Sequence, residues 1–190
     1  SLMNLKKTLT SEDWIRAAFR ALTHGGPGAI RVEAIARELK ISKGSFYWHF
    51  KDVASLQSEM LEHWQLAATE AIIENVDKSG VRPSEQLHLL ILLATSTRHE
   101  PYGGVLAEAA IRDWGRYNKL ASDTVKAVDE KRLIYTKDLF LSCGHSERRA
   151  RQNANLLYGA LIGLEGLAYQ QLINLREDML YLLELILSTD

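Results

Sequence analysis

The sequence predicts an all-α protein: a three-helix helix-turn-helix head followed by a helical body. Three observations carry that prediction. Of 190 residues, 46% are apolar and only three are proline, a balance that suits long helices. Apolar residues recur at helical spacing in one segment after another, each bounded by a capping residue or a Gly/Pro break. Charge is divided, with +4 through Asp52 leaving −5 for the remainder of a chain whose total is −1. A basic head on an acidic body is what a nucleic-acid-binding head on a non-binding body needs.

In order, Asn4–Leu9 is a polar arm carrying Lys6 and Lys7. Thr10 or Ser11 caps the first helix, and Glu12 and Asp13 suit the dipole of its first turn. Ile15, Ala18, Phe19 and Leu22 form its apolar stripe, and Gly25-Gly26-Pro27-Gly28 stops it. Val32, Ile35, Ala36 and Leu39 give the second helix one apolar face. Lys40-Ile41 makes a tight turn. Ser42 then fits an N-cap, its hydroxyl able to accept an orphan backbone N–H. Lys43, Gly44 and Ser45 occupy the first turn of the third helix. Phe46 and Phe50 are four apart and turn inward together, while Tyr47, Trp48 and His49 present polar edges outward. In a helix-turn-helix such a helix enters the DNA major groove by its N-terminal residues. An ordinary helical hairpin with a polar outer face shares the same spacing.

Asp52 caps a long helix to about Lys78, with Leu56, Met60, Trp64, Ala67 and Ala71 inward. The head is therefore taken as residues 4–52 and the body as 53–190. Ser79–Pro83 is the clearest break, and Ser84–Arg98 is the next helix. Pro101-Tyr102-Gly103-Gly104 precedes a short helix over Val105–Asp113. Tyr117–Cys143 is longer and ends at Gly144 as C-cap. Ser146 caps a helix to about Leu172, in which Gly159, Gly163 and Gly166 interrupt a leucine-rich face and would admit a second helix closely. The last helix, Arg176–Leu187, is apolar nearly all round and must be buried on more than one side. A second copy of the chain is the simplest cover. The expected product is a homodimer joined by the last two helices through Leu156, Gly159, Ala160, Gly163, Leu164, Leu167, Met179, Leu183 and Ile186. The alternative is a last helix buried within its own subunit.

The run AIARELKISKGSFYWHFKD, above all Tyr47-Trp48-His49-Phe50, closely resembles the DNA-binding domain of the TetR family of one-component bacterial repressors. The resemblance covers Trp14–Leu56. Beyond it, LAEAAIRDW and LYGALIG give a looser likeness to the family's divergent ligand-binding domain. The resemblance implies Tyr47 and His49 as phosphate contacts, a double-stranded, near-palindromic operator, and a small-molecule effector in the body. Two positions depart from the family: Lys40 stands where glycine is usual, at a turn position that tends to need positive φ, and Val53 where a phosphate-contacting lysine is usual. Lys51, two residues earlier, is the nearest substitute. Lys43 and Ser45 are the candidates for base edges, since lysine can bond guanine O6 and N7. The candidate DNA-binding set is Arg31, Ser42, Lys43, Gly44, Ser45, Tyr47, Trp48, His49 and Lys51. An effector pocket implied between the long fourth helix and the helices after Pro83 would draw on Trp64, His88, Leu92, Tyr102, Trp114, Tyr117 and Tyr158. Aromatic walls with a few polar tips suit a small amphipathic molecule.

Enzymatic signatures are missing from the sequence: there is no HExxH, GxSxG, P-loop or dinucleotide fingerprint. No cofactor and no metal is expected. No apolar run reaches membrane-spanning length, and the single Cys143 excludes an intrachain disulfide, which fits the cytoplasm. The competing class is a helical protein-interaction module whose head does not bind DNA.

Overall fold

A computed structural model describes residues 9–96 and 100–189, all helix, turn and loop without a strand among them. The arm carrying Lys6 and Lys7 lies outside the described residues. Helices α1 (Ser11–Gly25), α2 (Val32–Glu38), α3 (Lys43–His49) and α4 (Val53–Gln65) come first. A π-helical turn at Leu66–Glu70 leads into α5 (Ala71–Lys78) and α6 (Pro83–Ala94). Then follow α7 (Leu106–Gly115), α8 (Lys119–Ser142), α9 (Glu147–Tyr169) and α10 (Leu175–Ser188). The chain divides into two compact units, one from the described residues of Ser1–His63 and Thr97–Asp123, the other from those of Trp64–Ser96 and Thr124–Asp190. The short helix α7 thus belongs with the head helices rather than with the remainder of the body.

The first unit is built on α1. Thr10 closes a capping box with Asp13, satisfying orphan amides from both sides. Trp14, Ala17, Ala18, Phe19 and Leu22 are buried, so the inward face is centred one residue earlier than the Ile15 stripe predicts. Gly103, at φ 91°, brings the segment before α7 against α1, where an added Cβ would lie 2.8 Å from Thr23 Cγ2. Tyr102 packs there too. Its ring stacks on His63 at 3.9 Å and meets Phe19 edge-on at 5.9 Å, and its hydroxyl donates to Glu12.

The turn between α2 and α3 bears out the backbone need inferred at Lys40, whose φ is 56°. A side chain in this left-handed conformation is strained. Lys40→Gly is therefore expected to raise unfolding stability by about 0.5–1 kcal/mol in urea denaturation. Ser42 corrects one expectation. It holds the N-cap position of α3 with extended backbone, but its hydroxyl makes no capping bond. Its backbone carbonyl accepts from the Ser45 amide at 3.2 Å instead. Asp52 does cap α4: its Oδ1 accepts from the Ser55 amide at 2.8 Å and hydroxyl at 2.9 Å. Those bonds, the amide's first, hold its carboxyl below the usual carboxylate range.

A core of the second unit is made of Leu87, Ile91, Leu139, Phe140, Ala150, Ala154, Leu157, Met179, Leu183 and Ile186. Here the expected dimer interface needs correcting. Met179, Leu183 and Ile186 are 2%, 3% and 8% exposed inside their own subunit, because α10 packs on α6 and α9 of the same chain. The side chains on the other faces stay outside: Leu156 and Leu167 on α9, Tyr181 and Leu185 on α10. Gly159 and Gly163 are exposed as expected, and a Cβ on either would meet nothing within 4 Å. Ala160 and Leu164 are half-buried. None of the described helices is long and apolar enough to cross a membrane.

Candidate nucleic-acid interface

The surface of α3 follows from which of its residues the core takes. Phe46 is fully buried, edge-on to Trp14 at 5.3 Å and stacked on Phe50 at 5.3 Å. With these two rings fixed inward, the helical period sends the intervening residues out. Tyr47 is 61% exposed and Trp48 88%. His49, Ser42, Lys43, Gly44, Lys51 and Arg31 are exposed as well, and Ser45 is half-exposed. Seven cation, hydroxyl, imidazole and indole groups therefore share one short helix and its flanks, with Arg31 at the N-cap of α2. Such a surface can bond phosphate oxygens and base edges together.

One partner went unread in the sequence. Lys43 Nζ lies 3.5 Å from Glu33 Oε1, with the side chains 60% and 62% exposed. An ion pair so open to water is weak and screened, so DNA can displace the carboxylate. The Glu33 carboxyl is held below its usual range, first by its own backbone amide and then by Lys43. A loop-spanning pair of this kind has no local sequence signature.

Gly44 is a clean probe of the interface. An added Cβ would have Ser42 Oγ, 3.8 Å away, as its nearest neighbour, and its φ is not in the left-handed region. Gly44→Ala is expected to stabilise the free protein by about 0.5–1 kcal/mol through helix propensity. On the expectation that the α3 backbone approaches the duplex at Gly44, the added methyl group should lower DNA affinity. An unfolding curve and a DNA titration on the same variant check both signs.

The seven pocket candidates are divided between the two units: Tyr102, Trp114 and Tyr117 belong to the first, and Trp64, His88, Leu92 and Tyr158 to the second. His88 is exposed and Tyr117 is 82% exposed, so both face solvent in this chain. Tyr102 is committed to His63, Phe19 and Glu12, and Trp114 is buried in the first unit. Leu92 is half-buried, its carbonyl accepting from Arg176 Nη2 at 2.8 Å. Trp64 and Tyr158 do come together, on the guanidinium of Arg132, a residue not singled out from sequence. A separate cavity of about 460 Å³ is lined by Arg82, Pro83, Cys143, His145, Arg149 and Leu187 among others, and by none of the seven. Burial, then Arg149, lowers the His145 pKa below its ordinary value. Among the described residues no group of three His, Cys, Asp or Glu side chains could hold a metal ion.

Residues 15–60 match the family model described as "Bacterial regulatory proteins, tetR family". No curated protein matches the chain. Among solved structures, a TetR transcriptional regulator from Legionella pneumophila is similar, with TM-score 0.75 at 14% identity, covering 96% of this chain and 97% of that one. A transcriptional regulator from Saccharomonospora viridis in complex with choline has TM-score 0.76 at 15% identity, covering 92% and 95%. SmeT, the repressor of the Stenotrophomonas maltophilia multidrug efflux pump SmeDEF, has TM-score 0.70 at 15% identity, covering 95% and 89%. At these identities the likeness is one of fold.

Proposed function

We propose that this chain, whose residues 15–60 match the model of the tetR family of bacterial regulatory proteins, is a DNA-binding transcriptional regulator of that family, acting in the cytoplasm as a homodimeric repressor that a small organic ligand releases from a near-palindromic operator. One observation carries the reading. The inward pair Phe46 and Phe50 leaves Tyr47, Trp48 and His49 facing solvent beside Lys43 and Lys51.

In this reading Lys43 and Ser45 meet base edges, while Tyr47, His49, Lys51 and Arg31 hold phosphates and set the register. Trp48 is placed to pack on a sugar. A second copy joins through the exposed face of Leu156, Gly159, Gly163 and Leu167, with Tyr181 and Leu185 replacing the buried Met179, Leu183 and Ile186 of the original expectation. Two recognition helices about 34–36 Å apart would enter successive major grooves. The choline complex of the similar fold from Saccharomonospora viridis supports a body able to hold a small organic molecule. Ligand binding would then favour a head spacing that no longer fits DNA, to the extent that the ligand prefers that state.

The test is a mobility-shift titration with the chain's own upstream DNA across a range of salt. A specific shifted band with a steep inverse salt dependence is expected. No specific band at any salt would leave the head a protein-interaction module.

A further inference from the structure

We propose that the second unit contains a binding site for a small organic monocation, and that the chain's own Arg132 occupies it in this structure. The inference rests on the reading of the body as the ligand-responsive half, and adds to it the place and charge of the ligand.

Arg132 comes from α8, and its guanidinium carbon lies 5.6 Å from the ring centroid of Trp64 and 5.8 Å from that of Tyr158. Its Nε donates to Thr69 Oγ1 at 2.9 Å, Nη1 to the Tyr158 hydroxyl at 3.0 Å, and Nη2 to the Ala68 carbonyl at 3.1 Å. The Tyr158 hydroxyl donates onward to Asp129. Trp64, Thr69 and Tyr158 are 5%, 3% and 8% exposed. They form a fixed wall, while Arg132 itself is half-exposed on a flexible stem.

Each of these contacts favours a cation. Ring faces carry negative potential, the three oxygens accept, and the carboxylate lies one hydrogen bond further on. An anion would meet repulsion from the same faces. A neutral molecule would lose the charge-assisted bonds that Arg132 now makes. A monocation with a guanidinium or ammonium head and a short apolar tail keeps all of them once Arg132 swings out. The exchange also reaches the backbone. Two of the three acceptors, Ala68 and Thr69, belong to the π turn that directly follows α4, and π turns recur at functional sites. Losing Arg132 would release that turn unless the incoming cation took the same bonds.

The test uses full-length protein, N-methylguanidinium chloride at millimolar concentration, and potassium chloride at matched ionic strength. Binding is followed by calorimetric titration and by the thermal midpoint. In Arg132→Ala the site is vacant, and N-methylguanidinium is expected to bind roughly tenfold or more tightly than to the parent, where Arg132 competes. It should raise the variant's midpoint, and adding Trp64→Leu should abolish the gain. If Arg132→Ala does not melt cooperatively, restoration of a cooperative melt by N-methylguanidinium and not by potassium supports the site. Absence of restoration overturns it. Equal affinity with and without Arg132 overturns it, as does a gain that survives Trp64→Leu. Saturable binding of propionate to the parent that vanishes in Arg132→Ala would overturn it too, by making Arg132 an anion receptor. None of these readouts contains DNA, so a failure here leaves repression standing, and a failure to bind an operator leaves the site standing.

Discussion

Phe46→Ala should destabilise the protein by about 3–5 kcal/mol, the range for removing a buried aromatic ring and leaving its space unfilled. Phe46 is fully buried and holds both Trp14 and Phe50 at 5.3 Å. Its loss therefore strips contacts from α1 and α3 together and leaves α3 without the anchor that orients it. Against a usual total of about 5–15 kcal/mol, that loss is enough to populate an unfolded head. Urea denaturation measures it, with Tyr47→Ala as the neighbouring control. Tyr47 is 61% exposed, and a surface truncation should cost about 0.5 kcal/mol or less. Similar costs at the two positions would mean that the helix is rotated from the orientation described.

The second large effect concerns binding. Tyr47→Ala combined with His49→Ala should weaken operator binding by roughly a hundredfold or more, since a hydrogen bond to a charged group contributes about 1.5–3 kcal/mol. The loss should be nearly uniform across operator variants, because phosphates carry no sequence information. The slope of operator affinity against salt tests Lys51 separately. Lys51→Ala should lower that slope by about 0.9, the value of one neutralised phosphate. A double variant that altered which operator is preferred would place Tyr47 or His49 on bases instead.

What could be read from the sequence was what is local. The cap, offered by sequence as Thr10 or Ser11 and found at Thr10, the turn at Lys40 and the inward pair Phe46 and Phe50 each depend on residues within four positions of one another. The exposed recognition surface follows from the same spacing. Ser42 shows the limit even there: a capping residue type fixed the position, while its hydroxyl made no capping bond. In the body the decisive contacts are distant along the chain. The apolar girth of α10 announced burial on several sides, but not that α6 and α9 of the same subunit would supply the cover for Met179, Leu183 and Ile186. The pocket candidates were chosen by residue type, and type does not say which aromatics meet. Trp64 and Tyr158 meet through Arg132, which is 63 residues from Thr69 and 26 from Tyr158. No periodicity marks such a set, and none marks the π turn that Arg132 grips.

The chain's four tryptophans are unequally sheltered. Trp14, Trp64 and Trp114 are 0%, 5% and 4% exposed, against 88% for Trp48. The protein thus carries an intrinsic optical reporter on the face assigned to the duplex. Acrylamide should quench one indole emitter readily and three poorly, and a bound operator should shield the accessible one. Docking can then be timed without a dye, from the light of a residue the fold leaves in water.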